Sequence, residues 1–379
     1  MKLTKFFAFA LAALAFVGCG GDDAPANNGG GNNLPSPSGN VTLKADNTAV
    51  KVGETITFSV VDSEGQDVTA SAQIYDPEFN ELTNKKYTAT KTGTFEFFAT
   101  CEGEYTNTLV VKVVAEMPEV PEDMDPENFK FNHRAVMVDH TAMNCGYCPW
   151  MTDYLIQYAN TSNHKHYNEV TCHAGSLASG DPAASTAATT LMNYHSLYFT
   201  FGNPTLIFNF KTGEVGNSQS YSTVKGNIDK LLAGYIKADG ADVGISMTVE
   251  GDEDKLLCAA QIKVAVDGNY CVNAWLLESD IYSPNQNGAT KDEHKWYNYA
   301  LRNFSEPVMN SDIKGMSIGE LKAGDSYTYA GELEITSTKW NWENMGVLVV
   351  VSAQDDKGRV EVVNSAYCPV GEEMPFEYL

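Results

Sequence analysis

The sequence predicts a multidomain chain in which a central α/β domain is flanked by two all-β sandwich domains. Residues 128–239 alternate strand-like and helix-like segments. Residues 40–114 and 240–379 instead contain short runs that alternate apolar and polar side chains and are separated by turn residues. A Pro- and acid-rich stretch at 115–127 is typical of a semi-rigid linker. These patterns set the predicted domain boundaries.

The N-terminal residues predict an export signal and a tether. Two lysines precede an apolar run from Phe6 to Val17, which is too short to span a bilayer and is typical of a signal peptide over residues 1–18. The residues that lead to Cys19 resemble a bacterial lipobox, which implies lipidation of this cysteine and anchoring without a spanning helix. An ordinary secretory signal is the alternative. Residues 19–39, rich in Gly, Asn, Pro and Ser, predict a flexible tether.

The charge of the chain excludes one class of partner. The formal net charge is -24, and so much negative charge repels the phosphates of nucleic acids. The expected partners are the lipid anchor at Cys19 and either protein thiols and disulfides or a surface ligand. No cofactor is expected.

The cysteines are too few for a disulfide scaffold. The chain has eight, and lipidation of Cys19 leaves seven. Cys258 and Cys271 flank a predicted hairpin turn at Val266-Asp267-Gly268-Asn269, which places them roughly 20 Å apart at about 3.3 Å per residue. That exceeds the limit of about 7 Å between disulfide-bonded Cα atoms, so the two are predicted to stay unpaired. Cys101 and Cys368 are predicted to be buried thiols.

The motif with the clearest chemistry is Cys145-Gly146-Tyr147-Cys148. It lies between an apolar strand, Ala135–Val138, and a predicted helix, Trp150–Tyr158. In a redox CxxC the first cysteine attacks as a thiolate, which the N-terminus of a helix stabilises, and the second resolves the mixed disulfide. We therefore expect Cys145 to be the nucleophile and Cys148 the resolving cysteine.

Neighbouring residues leave alternatives open. Asp139 ends the apolar strand, where burial would raise its carboxyl pKa and let it take the proton of Cys148; a capping or strand-end role is the alternative. His140 either tunes Cys145 or is a half-buried structural residue. Cys172 and His173 could add two ligands to a zinc site, but adjacent strand residues point to opposite faces, so no metal site is predicted.

The segment Val138–Cys148 resembles the active-site segment of thioredoxins, and the order β-α-β-α-β-β-α in residues 128–239 fits that fold. The run Phe201-Gly202-Asn203-Pro204-Thr205 resembles the thioredoxin substrate loop. The resemblance implies that Pro204 follows a cis peptide bond, faces the CxxC and belongs to the active site. It also implies that Asn203, Pro204 and Thr205 contact substrate.

Two further resemblances concern larger parts of the chain. The segment Val50–Phe58 resembles bacterial immunoglobulin-like domains. Residues 128–379 resemble the twenty-eight-kilodalton outer-membrane-protein (Omp28-related) family, which implies an outer-membrane lipoprotein, and the acidic residues just behind Cys19 resemble a surface-export signal. The segments that match the family are Arg134–Pro149, Gly202–Thr205, Leu276–Asp280, Tyr297–Arg302 and Val349–Tyr367.

Two functions from different classes follow from these patterns. The first is an outer-membrane-anchored thiol-disulfide oxidoreductase that acts on envelope or extracellular proteins. The second is a non-enzymatic surface binding or adhesion lipoprotein in which the CxxC is an inert disulfide. Several aromatic residues bear on the second function, because they would support binding if they were displayed on the surface, whereas they are otherwise part of a core. They are Trp296, Tyr297, Tyr299, Trp340 and Trp342.

Overall fold

The computed structural model describes residues 39–218, 220–354 and 359–379. The predicted signal peptide, Cys19 and nearly all of the predicted tether lie outside the described residues. The same is true of Asp355-Asp356-Lys357-Gly358, whose sequence is typical of a hairpin turn. No helix within the described residues is both long enough and apolar enough to cross a membrane.

Residues 41–114 form a sandwich of two small sheets. The strands are β1 (Val41–Ala45), β2 (Ala49–Lys51), β3 (Thr55–Asp62), β4 (Ala72–Tyr75), β5 (Lys86–Thr88), β6 (Gly93–Cys101), β7 (Glu104–Tyr105) and β8 (Leu109–Val114). One sheet has the order β1-β3-β5, and the other has the order β2-β8-β6-β4 with β7 beside β6. Alternate side chains of β3 and β6, among them Phe58 and Phe97, face each other across the core.

The remaining described chain contains three α-helices and fifteen strands. In its first half lie β9 (Ala135–Thr141), α1 (Cys148–Tyr158), β10 (Tyr167–His173), α2 (Thr186–His195), β11 (Thr205–Phe208), β12 (Gly213–Gly216) and α3 (Tyr221–Tyr235). The second half contains β13 (Val243–Gly251), β14 (Lys255–Val264), β15 (Gly268–Glu278), β16 (Ile281–Tyr282), β17 (Trp296–Tyr297), β18 (Ala300–Phe304), β19 (Met316–Leu321), β20 (Ser326–Glu334), β21 (Met345–Gln354), β22 (Val360–Pro369) and β23 (Glu372–Met374). Short 3₁₀ helices occupy Thr69–Ser71, Thr83–Lys85, Ser162–His166, Ser176–Ala178, Glu293–Lys295 and Trp342–Asn344.

The predicted fold class, with a thioredoxin-like α/β domain between two sandwiches, is wrong. Strand accounts for 43% of the structure and helix for 17%. The strands of the predicted α/β region do not form a sheet of their own, because they belong to a nine-stranded sheet of order β12-β11-β9-β10-β18-β15-β21-β22, with β19 beside β15. The three helices therefore pack against one part of a large, mostly antiparallel sheet. The predicted central α/β domain is not a separate unit.

The continuity of this sheet has two causes. Strand β10 would be an open edge, but the amide of Thr171 donates to the carbonyl of Tyr299 at 2.8 Å and joins it to β18. Strand β22 meets the start of β9, where the amide of Arg134 donates to Asn364 Oδ1 at 2.9 Å. The sheet thus curves, and α2 packs inside the curve against side chains from both halves of the sheet. Ser185 caps α2 by accepting the amide of Ala188 at 2.9 Å.

A second sheet, of order β20-β14-β13-β23, packs against the nine-stranded sheet. The predicted hairpin at 266–269 is wrong: β14 pairs with β13 and β20, whereas β15 pairs with β18, β19 and β21. The turn thus connects two different sheets. Cys258 and Cys271 are nevertheless both free, as predicted, and Cys101 and Cys368 are buried thiols.

The predicted linker at 115–127 is fastened to the second sheet. The ammonium of Lys263, on β14, donates to Asp123 Oδ2 at 2.8 Å and to the carbonyl of Pro126 at 2.6 Å. The ring of Phe129 lies 4.5 Å from the same nitrogen. The first sandwich is joined to β20 of this sheet, because Thr48 Oγ1 donates to the carbonyl of Thr328 at 2.8 Å.

A fragment of residues 128–239 is expected not to fold on its own. Excision exposes the edge of β10 and uncovers the apolar cluster that α2 shares with Trp275, Leu301 and Leu348. Circular dichroism and amide-proton dispersion in the NMR spectrum check this, with the chain from residue 39 to 379 as control. A fragment that unfolds cooperatively with dispersed amide signals would contradict the prediction.

Candidate functional site

The two cysteines of the CxxC form a disulfide at the start of α1. Their Cα atoms are 5.5 Å apart, and the amide of Cys148 donates to Cys145 Sγ at 3.1 Å. No side chain caps the helix at Tyr147, and Pro149 occupies the first turn, where it lacks no hydrogen bond. The amide of Cys148, in the first turn of the helix, is thus aimed at Cys145 and would stabilise its thiolate after reduction.

Both cysteines are buried, whereas the aromatic residues beside them are exposed. Cys145 is 3% exposed and Cys148 is 2% exposed. Tyr147 and Trp150 are 59% and 37% exposed, and their ring centroids lie 5.5 Å apart. A partner would therefore meet the two rings before it reached the sulfur atoms.

The loop before the disulfide is held from two sides. The amide of Met143 donates to Asp181 Oδ2 at 2.7 Å, and the amide of Asn144 donates to the carbonyl of Leu177 at 3.1 Å. From the other side, the amide of Asn287 donates to the carbonyl of Met143 at 2.8 Å. We call this arrangement, made by residues 177–181 and 286–287, the loop clamp.

Gln286 connects the backbone of the CxxC to Tyr297, on β17, which pairs with β16 in a separate two-stranded sheet. Its Nε2 donates to the carbonyl of Cys145 at 3.1 Å, and its Oε1 accepts the hydroxyl of Tyr297 at 2.6 Å. The Tyr297 ring lies 4.4 Å from that of His173, whose Nδ1 is 2.8 Å from Asp181 Oδ2. Burial alone would raise the pKa of Asp181, but the hydrogen bond from His173 and two backbone amides lower it, so the clamp holds a carboxylate.

Asp139 lies behind the resolving cysteine. Its side chain and that of Cys148 line one cavity of about 350 Å³, in which the carboxyl is 3% exposed and Oδ1 has no hydrogen-bond partner among the described residues. Burial, with a smaller contribution from the charge of Glu169, holds the pKa of Asp139 well above its usual range. The carboxyl therefore keeps its proton at pH values at which an ordinary aspartic acid has lost it, and it can exchange that proton near Cys148.

Pro204 lies at the predicted end of the sheet. The Asn203–Pro204 peptide bond is cis, which confirms this part of the implied loop. Strand β11 pairs Thr205 with His140, so the same register brings Pro204 across from Thr141, at the end of β9 that leads to the CxxC. Thr205 is buried and its hydroxyl donates to the carbonyl of Gly202 at 2.6 Å, so it shapes the loop from within.

His140 and Cys172 point away from the disulfide cavity. His140 Nε2 is 2.8 Å from His195 Nδ1 on the α2 side of the sheet, where burial lowers its pKa well below the usual range. Cys172 donates to the carbonyl of Ala188 on the same side, at 3.1 Å. His173 faces the opposite side, so Cys172 and His173 do not converge on a metal. Within the described ranges no cluster of three or more His, Cys, Asp and Glu side chains could hold a metal ion.

Sequence reasoning missed several residues of the site. Glu169 could have been found from the sequence, because it is two residues from Thr171 on β10 and so lies on the same face of the sheet as Asp139. Gln286, Asn287 and Tyr297 had none, since they lie far along the chain and their contact with the CxxC depends on how β18 joins the sheet.

No protein-family model and no curated protein matches the sequence. The chain is similar in structure to HBP35 of Porphyromonas gingivalis. The TM-score is 0.51 at 17% identity, over 65% of this chain and 78% of that one. A β-glucosidase from Kluyveromyces marxianus reaches a TM-score of only 0.19 at 13% identity, over 36% of this chain and 15% of that one. This score is too low to indicate a common fold. At such identity the likeness to HBP35 concerns the fold alone.

Replacing Gln286 by Ala should loosen the loop clamp. It removes the donor to the carbonyl of Cys145 and leaves the buried hydroxyl of Tyr297 without its acceptor, which costs about 1–3 kcal/mol of unfolding free energy. The expected result is a lower denaturation midpoint and faster reduction of the Cys145–Cys148 disulfide by dithiothreitol. Gln66→Ala, at an exposed position, is the control. Unchanged reduction kinetics would argue against the clamp.

Proposed function

We propose that this chain is a thiol-disulfide oxidoreductase whose reacting atoms are the Sγ atoms of Cys145 and Cys148. One observation carries the proposal: an unpartnered, buried carboxyl lies in the cavity behind Cys148, while the helix N-terminus is aimed at Cys145. A buried carboxyl without a hydrogen-bond partner destabilises a protein core, and such a group beside a sulfur atom is suited to transfer a proton to it.

In the oxidising direction, a client thiolate attacks Cys145 Sγ. The Cys145–Cys148 bond breaks, its electron pair passes to Cys148 Sγ, and the neutral carboxyl of Asp139 supplies the proton. A second client thiolate then attacks the client sulfur of the mixed disulfide and releases the Cys145 thiolate. The client is oxidised by two electrons, and the protein becomes a dithiol that an external disulfide must reoxidise.

In the reducing direction, the same residues act in reverse order. The Cys145 thiolate attacks a client disulfide and releases one client thiolate, the Asp139 carboxylate takes the proton of Cys148, and the Cys148 thiolate displaces the second client thiolate from Cys145. The client gains two electrons, and the protein becomes a disulfide that an external dithiol must reduce before the next cycle. The exposed rings of Tyr147 and Trp150 would meet the client polypeptide first. Asn203, Pro204 and Thr205 remain the proposed substrate loop beside the CxxC.

A specific observation also favours the second candidate, a binding or adhesion protein with an inert disulfide. Cys145 is 3% exposed and the loop clamp covers its backbone, so attack requires the clamp or the neighbouring rings to move. The aromatic residues named for that role are divided between the surface and the core, since Trp296 is 41% exposed and Tyr297 is 8% exposed. The two candidates differ in one property, which is the reactivity of Cys145.

The proposed location is the outer membrane, with attachment through a lipidated Cys19. The support comes from the sequence, namely the lipobox-like setting of Cys19 and the resemblance of residues 128–379 to the Omp28-related family. The proposed clients are therefore thiols and disulfides of envelope or extracellular proteins.

A Cys148→Ser variant should accumulate mixed disulfides between Cys145 and client proteins in cells. Without the resolving thiol, the first step proceeds and the second does not. Non-reducing gels followed by mass spectrometry of the adducts make the measurement. The double variant with Cys145→Ser is the matched control and should give no adducts. If the single variant forms none either, and the native chain fails to reduce insulin, the inert-disulfide alternative stands.

A Cys19→Ser variant tests the anchor. The native chain should incorporate a labelled fatty acid and sediment with membranes, and the variant should lose both properties because no thiol remains to be acylated. Cys101→Ser, which changes a buried thiol, is the control and should retain both. Equal labelling of the native chain and the Cys19→Ser variant would refute lipidation at this residue.

A further inference from the structure

The cavity behind Cys148 contains a second carboxyl. Glu169, on β10, lines it together with Asp139 and Cys148. The parallel register aligns Thr171 with Asp139 and Glu169 with Met137, so Glu169 lies on the same face of the sheet, two residues nearer the start of its strand. Both acidic residues thus line one cavity together with Cys148, and this cavity is partly open to solvent.

Asp139 makes little direct contact with solvent, since it is 3% exposed. Other polar side chains line the same cavity, among them those of Thr171 and His173. The hydroxyl of Thr171 donates to the carbonyl of Asn298 at 2.8 Å, and His173 Nδ1 is bound to Asp181, while His173 Nε2 has no partner among the described residues. A proton that leaves Cys148 during a catalytic cycle must nevertheless reach bulk water.

Glu169 is suited to pass that proton on. Its side chain is half-buried, and its carboxyl makes no hydrogen bond or ion pair with another described residue. Burial raises the pKa of Glu169 to about 7, so it gains and loses a proton near neutral pH. The cavity, at about 350 Å³, has room for several water molecules between the two carboxyls.

Other ionisable groups face the same cavity from every side. Glu293 and Tyr299 lie on the segment that covers it, and the Tyr297 hydroxyl is committed to Gln286. No Lys or Arg side chain lines the cavity, so nothing cationic neutralises the two carboxyls. The charge of Glu169 contributes to the raised pKa of Asp139, so the protonation of one carboxyl influences that of the other.

We propose that Glu169 is a proton-relay residue that acts through Asp139 and exchanges its proton with solvent across the cavity. This inference rests on the proposed function. In the reducing direction the proton passes from the Cys148 thiol to the Asp139 carboxylate, from there through water to the Glu169 carboxylate, and then to buffer. In the oxidising direction it follows the reverse path.

The test is the rate at which Cys148 resolves a preformed mixed disulfide between Cys145 and a small aromatic thiol, measured in single turnovers of the chain from residue 39 to 379. Asp139→Asn should slow this step by about 100-fold, and Glu169→Gln should slow it by about 10-fold near pH 7. Glu169→Gln should also remove one apparent pKa from the pH profile. Small carboxylate buffers should restore its rate in proportion to their concentration, as a merely structural role would not allow. Attack by Cys145 itself should keep its native rate.

Glu214→Gln, on the exposed side of β12 in the same sheet, is the matched control and should behave as the native chain. Glu169→Ala, with the same buffer rescue, is the second variant if Glu169→Gln folds poorly. If the native chain resolves the mixed disulfide and Glu169→Gln does so at the native rate with the native pH profile, the relay is refuted and the oxidoreductase stands. If the native chain does not resolve it at all, the proposed function is refuted as well.

Discussion

The junction between β10 and β18 determines where the site is and what surrounds it. It is a short contact, centred on Thr171 and residues 298–300, yet it converts the edge of one strand group into the middle of a nine-stranded sheet. The segment that leads into β18 then passes next to α1. This path places Gln286 and Tyr297 close to the disulfide. Lys291 and His294 secure the crossing through Asp153, at 2.9 Å and 3.0 Å. Without this junction the CxxC would lie open and the cavity would lack a wall.

Local sequence patterns were sufficient to predict the individual strands and helices, but not how these elements pair and pack into sheets. The strands and helices between Ala135 and Tyr235 follow from periodicity, and the position of Asp139 follows from where an apolar strand ends. The hairpin predicted at 266–269 was wrong because an Asp-Gly turn reverses the chain without specifying which sheet receives the next strand. The separate α/β domain was wrong for the same reason, since edge pairing between β10 and β18 depends on residues far apart in sequence. The loop clamp had no sequence signal, because amide and carbonyl groups bind the backbone without a motif.

Two opposing effects act on the disulfide. The helix N-terminus and the neutral carboxyl behind Cys148 favour exchange, because each stabilises one of the charges that the reaction creates or consumes. Burial of Cys145 and its covered backbone oppose exchange, because a client must displace contacts before it reaches the sulfur. The acidity of the chain gives the thiolate no support, since no Lys or Arg lies within the motif or next to it in the sequence. Selectivity for clients would follow from this balance. Only a partner that contacts the exposed rings strongly enough would compensate for the free energy of opening the loop clamp.

The fastened linker has a mechanical consequence. Thr48 and Lys263 connect the first sandwich and the linker to β20 and β14, which belong to the smaller of the two C-terminal sheets. The first sandwich also contacts the chain beside the larger sheet, because Lys112 on β8 forms an ion pair with Glu306. A pull on the N-terminal part of the described chain is therefore shared among several contacts on both sheets. These contacts would have to break before the force reached β9 and the cysteines that follow it.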